Sequence, residues 1–262
     1  MKRGTITVLG SATSMGIPTI GCECATCLST DPKDRRSRPS VMLNWANRCI
    51  VIDTGPDFRQ QALREHVRHL DAVLYTHAHA DHILGLDDLR PLTYDRSNSG
   101  TRLPLYARAN TARHLRNVFQ YVFDESYKYG GTAKVTLNEI DGPFDLLDLR
   151  VVPVPILHGD AEIYGYRIGR FAYLTDFSTI PEASLPLLAG VEVVFLDALR
   201  HTFHPTHSTV ANSLQVAARI GARQTFFTHI GHDLPHAATN RSLPLGVELA
   251  WDGLRLDVEL ED

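Results

Sequence analysis

Residues 76–82 read Thr76-His77-Ala78-His79-Ala80-Asp81-His82, directly after the apolar run Ala72–Tyr75. That run has the length and composition of a buried strand. In an extended chain, side chains two positions apart project to the same side, so His77 and His79 can converge on one cation. Asp81 and His82 are adjacent, and a turn into the following segment aims both at a second cation nearby. Imidazole and carboxylate donors of this kind suit zinc, manganese or iron. The stretch therefore reads as the end of a strand that serves a pair of metal sites.

Its His-x-His-x-Asp-His pattern resembles the signature of the metallo-β-lactamase superfamily, and the resemblance extends over nearly the whole chain. Ile52-Asp53-Thr54-Gly55 matches that family's first motif, in which an Asp at a strand end supports the metal loop. Leu157-His158, Tyr173-Leu174-Thr175-Asp176 and Thr228-His229 fall where the family supplies its other ligands. The resemblance implies one site of His77, His79, His158 and Asp176, and a second of Asp81, His82, His229 and Asp176. It makes Asp176 the shared ligand and Asp81 both a ligand and a catalytic residue. It also implies an α/β fold, the αββα sandwich of two mixed sheets. Read without the family, His158 is a loop residue, and Asp160 competes with it for a ligand role.

Cys22-Glu23-Cys24-Ala25-Thr26-Cys27 gathers three of the four cysteines, and Thr228-His229-Ile230-Gly231-His232 places a further histidine three residues after His229. Three thiolates and one imidazole complete a tetrahedral zinc site with no open position, the pattern of a structural ion. Cys22, Cys24, Cys27 and His232 are its expected ligands. Both segments resemble the phosphoribosyl 1,2-cyclic phosphate phosphodiesterases of the carbon–phosphorus lyase pathway. A similar cysteine cluster occurs in the pyrroloquinoline-quinone biosynthesis B family, whose histidine motif is degraded. Cys49 lies within an apolar strand-like run and reads as a buried structural thiol.

Short β-branched runs punctuated by Gly and Pro predict strands at Thr5–Leu9, Val41–Leu43, Cys49–Ile52, Ala72–Thr76, Leu103–Tyr106, Lys134–Leu137, Leu149–Pro153, Ile163–Ile168, Phe171–Leu174, Val191–Leu196 and Gln224–Thr228. Helical patterns cover about Asp57–Val67, Thr111–Phe123, Pro181–Leu188 and Ser208–Ile220. In the last, Ser208 is the expected N-cap, and Val210, Leu214, Ala217 and Ala218 form the apolar stripe. Asp252-Gly253 predicts a terminal hairpin between Gly246–Trp251 and Leu254–Leu260. Thr93–Gly100 reads as a mobile loop. With no repeat or linker, residues 1–262 form one expected domain.

The chain has 262 residues, 44% hydrophobic and 21% charged, with a formal net charge of −4. It can bury a substantial core. The acidic balance, and the lack of any Lys/Arg run longer than two, argue against nucleic acid as partner and leave room for a small phosphorylated substrate. No signal-like or membrane-spanning apolar run is present, so a cytoplasmic protein is expected, with no membrane partner. A homodimer is compatible with the sequence, which selects no oligomeric state.

A Cys in place of a shared Asp marks the antibiotic-hydrolysing lactamases, and a Glu in place of His79 the flavo-diiron branch; neither is present. The family likeness implies two divalent ions (zinc or manganese, with iron also suited) and attack by a bridging hydroxide on a phosphodiester, such as a cyclic ribosyl phosphate. A glyoxalase-like thioester hydrolase and a non-catalytic metal-binding protein are the alternatives. His207, in the loop Leu199–Ser208, aligns with a histidine that the resembling phosphodiesterases use near the substrate phosphate. There it would donate to a phosphoryl or leaving oxygen. His201, His204 and Arg200 have weaker claims, Arg200 as a contact to a phosphate oxygen. His66, His69, His114 and His236 read as surface residues.

Overall fold

The computed structural model describes residues 2–94, 100–124, 126–127 and 130–261. The strands are β1 (Arg3–Gly10), β2 (Ser40–Trp45), β3 (Arg48–Ile52), β4 (Ala72–Leu74), β5 (Leu103–Ala107), β6 (Val135–Glu139), β7 (Phe144–Leu146), β8 (Leu149–His158), β9 (Ala161–Ile168), β10 (Phe171–Leu174), β11 (Val193–Asp197), β12 (Gln224–Thr228), β13 (Val247–Leu249) and β14 (Arg255–Glu259). They form two seven-stranded sheets, ordered β14-β1-β2-β3-β4-β5-β6 and β13-β12-β11-β10-β9-β8-β7.

The period of two along each strand explains the layering. In β3, Ile50 and Ile52 join the core between the sheets, while Cys49 and Val51 face an outer core with Phe58, Ile83 and Leu115. In β11, Val193 and Phe195 face inward, while Val194 and Leu196 pack with Val210 and Ala217. Strands buried on both faces must be apolar throughout, which is how these runs read. The result is the αββα sandwich of two mixed sheets.

Parallel pairing brings strand ends to a common edge. β3 pairs parallel with β4, and β10, β11 and β12 run parallel in register. Their C-terminal ends carry Asp53, Thr76-His77, Asp176, Asp197 and His229. In open α/β sheets this edge is where ligands bind.

Several elements depart from the sequence reading. β8 continues through Pro153 and Pro155 to His158, because β7 pairs only as far as Val151 and the next bridge on that side is Leu157 to Thr179, so the two prolines lie on an unpaired stretch where missing N–H groups are harmless. β4 stops at Leu74, since the Thr76 N–H donates to the Asp53 side chain instead of a ladder. The helix expected at 111–123 breaks at Phe119 into Ala109–Val118 and Gln120–Phe123. Residues Glu182–Leu188 form a 3-10 helix with Pro186 inside it. The helix Val210–Ile220 is capped by Thr209, whose hydroxyl accepts from the Asn212 N–H, and not by Ser208, which is committed to Ser213 and Asn212. Its Ala218 is exposed, so Ser213 completes the buried face. Most of the expected loop at 93–100 lies outside the described residues.

The terminal hairpin does not form. β13 pairs parallel with β12 in one sheet, and β14 pairs antiparallel with β1 in the other. Asp252 is a crossover anchor: its carboxylate accepts from the backbone N–H and hydroxyl of both Ser11 and Ser37, at 2.5–3.1 Å. Gly253, at φ +89°, donates its N–H to Val8 O at 2.8 Å. The apolar flanks imitate hairpin strands because each strand is half of a different sheet.

Asp252→Ala strands the four serine donors at the junction of the sheets and also breaks the Arg64 ion pair, and should cost roughly 2–4 kcal/mol of stability, read from the urea midpoint. A loss within about 0.5 kcal/mol, the range of an ordinary surface substitution, would show that Asp252 does not anchor the crossover.

Candidate metal centre

Three site residues sit at strand ends with left-handed backbone: Asp53 at φ +64°, Asp176 at +59° and His229 at +55°. For residues other than Gly this conformation costs about 1–3 kcal/mol each, and it is typically kept where function needs a side chain re-aimed. Here it turns each side chain off its strand and toward one cleft.

Asp53 is fully buried and organises the loop of the His-x-His-x-Asp-His run. Its Oδ1 accepts from Thr76 N at 2.8 Å, and its Oδ2 from Thr76 Oγ1 and His82 Nδ1, both at 2.7 Å. Thr76 Oγ1 in turn accepts from His77 Nδ1 at 3.0 Å, and Thr206 O from His158 Nδ1 at 2.8 Å. Three imidazoles are thus fixed as Nδ1–H donors. That tautomer leaves each Nε2 with a free lone pair, as metal-binding histidines require. His77 Nε2 and His82 Nε2 are buried with no hydrogen-bond partner among the described residues.

The residues expected in two sites come together in two groups. Donor atoms of His77, His79 and His158 lie within 4.8 Å of one another, as do those of Asp81, His82, Asp176 and His229. Asp176 lies between the groups: Oδ2 is 3.8 Å from His77 Nε2 and 3.1 Å from His229 Nε2, and Oδ1 is 3.3 Å from His82 Nε2. His79 alone is exposed, at the mouth. Asp160 is exposed and belongs to neither group.

Burial penalises the charges of Asp81 and Asp176, yet the facing histidines hold both carboxyls far below the usual range. Reciprocally, burial works against protonated His229 while Asp176 and Asp81 raise it, to about 9. His82 is raised in the same way, against burial, by Asp176, Asp81 and Asp53. Two desolvated carboxylates whose only ion-pair partners among the described residues are histidines form a cavity that suits cations. The donor set fits divalent metals.

Cys22, Cys24, Cys27 and His232 also converge, with Cys22 Sγ 3.3 Å and Cys27 Sγ 3.7 Å from His232 Nδ1. No disulfide joins the cysteines. The pocket is tied to the main cleft by backbone, since Ile230 N donates to Ser11 O and Thr13 N to Ile230 O, both at 3.0 Å. Cys49 is buried, and that burial first, then Asp71, pushes its thiol up to about 12, as an inert core thiol requires.

His207 lines the cleft with Ser14, His79, Asp81, His158 and His229, in a volume of about 350 Å³. Its ring stacks on His229 at 4.5 Å, and its Nδ1 lies 2.6 Å from Asp197 Oδ2. Burial is the main cause that lowers His207, to about 4, and that raises Asp197. Both groups therefore resist carrying a charge, and Nδ1 is the ring atom of His207 that Asp197 engages. Asp197 is absent from the sequence reading, although Val193-Val194-Phe195-Leu196-Asp197 repeats the pattern by which Asp53 and Asp176 end their strands.

Arg200 does not face the cleft as a free cation: it donates to the carbonyls of Thr202 and Phe203 in its own loop. His201 is exposed, and His204 contacts Thr206 at 3.2–3.3 Å. His236, expected at the surface, is 4% exposed: it packs edge-on against Trp251 and bonds Asn240, because Asp34 holds its backbone N–H at the helix start.

Residues 48–230 match the beta-lactamase superfamily domain. An octanoyltransferase from Porphyromonas gingivalis is 38% identical over 257 residues, 96% of this chain and 51% of that protein. The chain thus spans about half the length of that relative. The crystal structure of a new diphosphatase from the PhnP family superposes with a TM-score of 0.93 at 55% identity, over 98% of both chains. Zn(2+)-bound PqqB from Methylobacterium extorquens superposes with a TM-score of 0.76 at 22% identity, over 97% of this chain and 100% of that one, a likeness of fold alone.

Because His229 is raised to about 9, it is protonated at neutral pH in the metal-free chain and must lose that proton to bind a cation. Zinc uptake by chelator-stripped protein at about pH 7.5 should release about one proton or more per chain, and apparent affinity should rise with pH toward 9. Calorimetry in buffers of different ionisation enthalpy measures this. Heats independent of the buffer would contradict the protonated state.

Proposed function

We infer, from the premise that this chain belongs to the metallo-β-lactamase superfamily of hydrolases, that it hydrolyses small phosphodiesters with the aid of divalent metals. The observation that carries this reading is the position of Asp176 within 3.8 Å of His77, His82 and His229 together, a placement suited to bridging two ions. His77, His79, His158 and Asp176 would hold one ion, and Asp81, His82, His229 and Asp176 the other. Zinc, manganese and iron all suit these donors. Zinc suits the Cys22, Cys24, Cys27 and His232 pocket, where it would act as a staple.

When bound, divalent ions in such a site lower the pKa of water and neutralise phosphoryl charge. The chain's own residues do the rest. Asp53 and Thr206 orient imidazoles through their Nδ1–H groups. His207 would donate to a phosphoryl oxygen or to the leaving oxygen through Nε2, the ring nitrogen that Asp197 does not engage. Asp197 positions that ring and holds its proton balance. Among the described residues no Lys or Arg lines the cleft, so phosphoryl charge there would be met by the metals and by His207.

The substrate suggested by the family likeness is a small cyclic phosphate, such as phosphoribosyl 1,2-cyclic phosphate. A phosphoanhydride is the second reading, favoured by the diphosphatase at 55% identity. The non-catalytic alternative is weaker, since no residue of the expected ligand set is missing and a coenzyme PQQ synthesis protein B is 26% identical, against 55% for the diphosphatase. We take residues 1–262 as one hydrolase domain, with no nucleic acid or membrane partner proposed. Among the described residues, no helix is long and apolar enough to cross a membrane.

A substrate panel tests the reading. Cyclic and acyclic phosphodiesters should be hydrolysed by metal-loaded protein, and a diphosphate separates the two phosphoryl readings. A lactam and a glutathione thioester should be left intact, and preferential thioester cleavage would overturn the assignment.

His207→Ala should keep its metals and fold yet lose about 10²–10⁴-fold in turnover. The loss should be smaller for a nitrophenyl leaving group if the imidazole protonates the leaving oxygen, and equal for both if it stabilises charge. Normal rates on both substrates would make His207 a loop residue.

A further inference from the structure

Ser14 is one of nine residues that line the metal cleft, and five of the nine (His79, Asp81, His158, Asp176 and His229) belong to the expected ligand set. Of the remaining four, Ala161 is apolar, and the Thr206 hydroxyl lies 3.2 Å from His204 Nδ1. His207 and Ser14 are left as the polar side chains with a donor to offer a substrate. Ser14 is exposed, and its hydroxyl has no hydrogen-bond partner among the described residues.

The turn that carries Ser14 is tied down before, within and after it. Thr13 N donates to Ile230 O and Ile230 N to Ser11 O, both at 3.0 Å. Gly16 N donates to Thr13 O at 2.9 Å, which closes a four-residue turn with Ser14 and Met15 at its centre. Gly16 itself has φ +67°, a conformation that glycine adopts without strain. Ile17 and Arg36 then exchange backbone hydrogen bonds at 2.8–2.9 Å. Arg38 Nε donates to Ser14 O at 2.8 Å, and Asp57 clamps the Arg38 guanidinium at 3.0–3.1 Å. The turn carrying His229 also holds the His207 loop, since Gly231 N donates to Leu199 O at 2.8 Å. Ser14 and His207 are therefore fixed against the same metal-facing segment, as preorganised donors must be.

A phosphodiester in this cleft presents two non-bridging oxygens and a leaving oxygen. Asp197 engages His207 at Nδ1, so that ring has one nitrogen to offer and serves one of these oxygens. With no Lys or Arg in the lining among the described residues, a second donor has to be neutral. We propose that Ser14 is a substrate-binding residue whose hydroxyl donates to a non-bridging phosphoryl oxygen, with Arg38 as the residue that positions it. The role of Ser14 rests on the phosphodiester reading and deepens it by naming a donor besides His207. Because that donor meets the phosphoryl group, its contribution does not depend on the leaving group.

Ser14→Ala, a substitution at an exposed position, should keep its metal content and its urea midpoint. Its kcat/KM should fall about 10–100-fold, the worth of one hydrogen bond to a charged oxygen. The fall should be equal for a nitrophenyl diester and for a diester with an alkyl leaving group. Ser14→Thr, which keeps the hydroxyl, should recover most of the loss. Inorganic phosphate, titrated by calorimetry into metal-loaded protein, should bind Ser14→Ala about tenfold more weakly than the unaltered chain. Arg38→Met should weaken phosphate binding in the unaltered chain and add nothing to Ser14→Ala, as expected when one residue acts through another. Phosphate affinity and kcat/KM both within about twofold of the unaltered chain would overturn the proposal. Loss of metal from Ser14→Ala would also contradict it, because the serine would then serve the ions and not the substrate. Additive effects of the two substitutions would remove Arg38 as the positioning residue. If no diester is hydrolysed, the catalytic reading falls, while the phosphate titration still decides whether Ser14 makes this contact.

Discussion

Asp53 makes three hydrogen bonds in a place with no solvent, and the rest of the site hangs on them. Its carboxylate holds the Thr76 backbone, the Thr76 hydroxyl and the His82 ring at once. Through Thr76 it also fixes His77. A buried carboxylate is costly unless it is fully hydrogen-bonded, so this one cannot release a partner cheaply. That cost forces β4 to end at Leu74, three positions before His77, and sets both rings with Nε2 turned inward. The left-handed backbone at Asp53, Asp176 and His229 shows what the fold spends to keep those side chains on the common edge.

The second constraint is charge. Asp81 and Asp176 are buried against imidazoles, and in the metal-free chain histidine protons stand in for cations. Such a cluster is unstable as a purely structural feature, because replacing it with apolar residues would remove the desolvation cost. Divalent ions relieve it, which couples metal binding to proton release and to the order of the surrounding loops. The Cys22–His232 pocket adds a mechanical link. Backbone hydrogen bonds from Ile230 N to Ser11 O and from Thr13 N to Ile230 O fasten the segment after β1 to the turn carrying His229, beside that pocket.

Much of this was legible in the sequence because candidate metal ligands are chemically specific residues at fixed distances from apolar runs. His77, His79, Asp81 and His82 stand out by spacing, whereas Asp176 and His229 were read through the family resemblance, with their strand-end positions in its support. Asp197 closes a strand in the same way and went unread, since a single Asp after an apolar run is common and its histidine partner lies ten residues on. The hairpin at Asp252-Gly253 failed for a related reason. Alternation and a turn dipeptide describe each strand locally, but which sheet a strand joins depends on Ser11 and Ser37, far away in sequence. His236 was misplaced because its burial comes from Asp34 and Trp251, contacts that no local pattern records.

The central claim is that this cluster exists to hold two cations bridged by Asp176. Anomalous diffraction from crystals grown with zinc or manganese, recorded on either side of the metal edge, measures it directly. Two peaks are expected in the cleft, one among His77, His79 and His158 and one among Asp81, His82 and His229. Asp176 oxygens should lie about 2.0–2.3 Å from each. A single peak, or two peaks with Asp176 bound to neither, would contradict it.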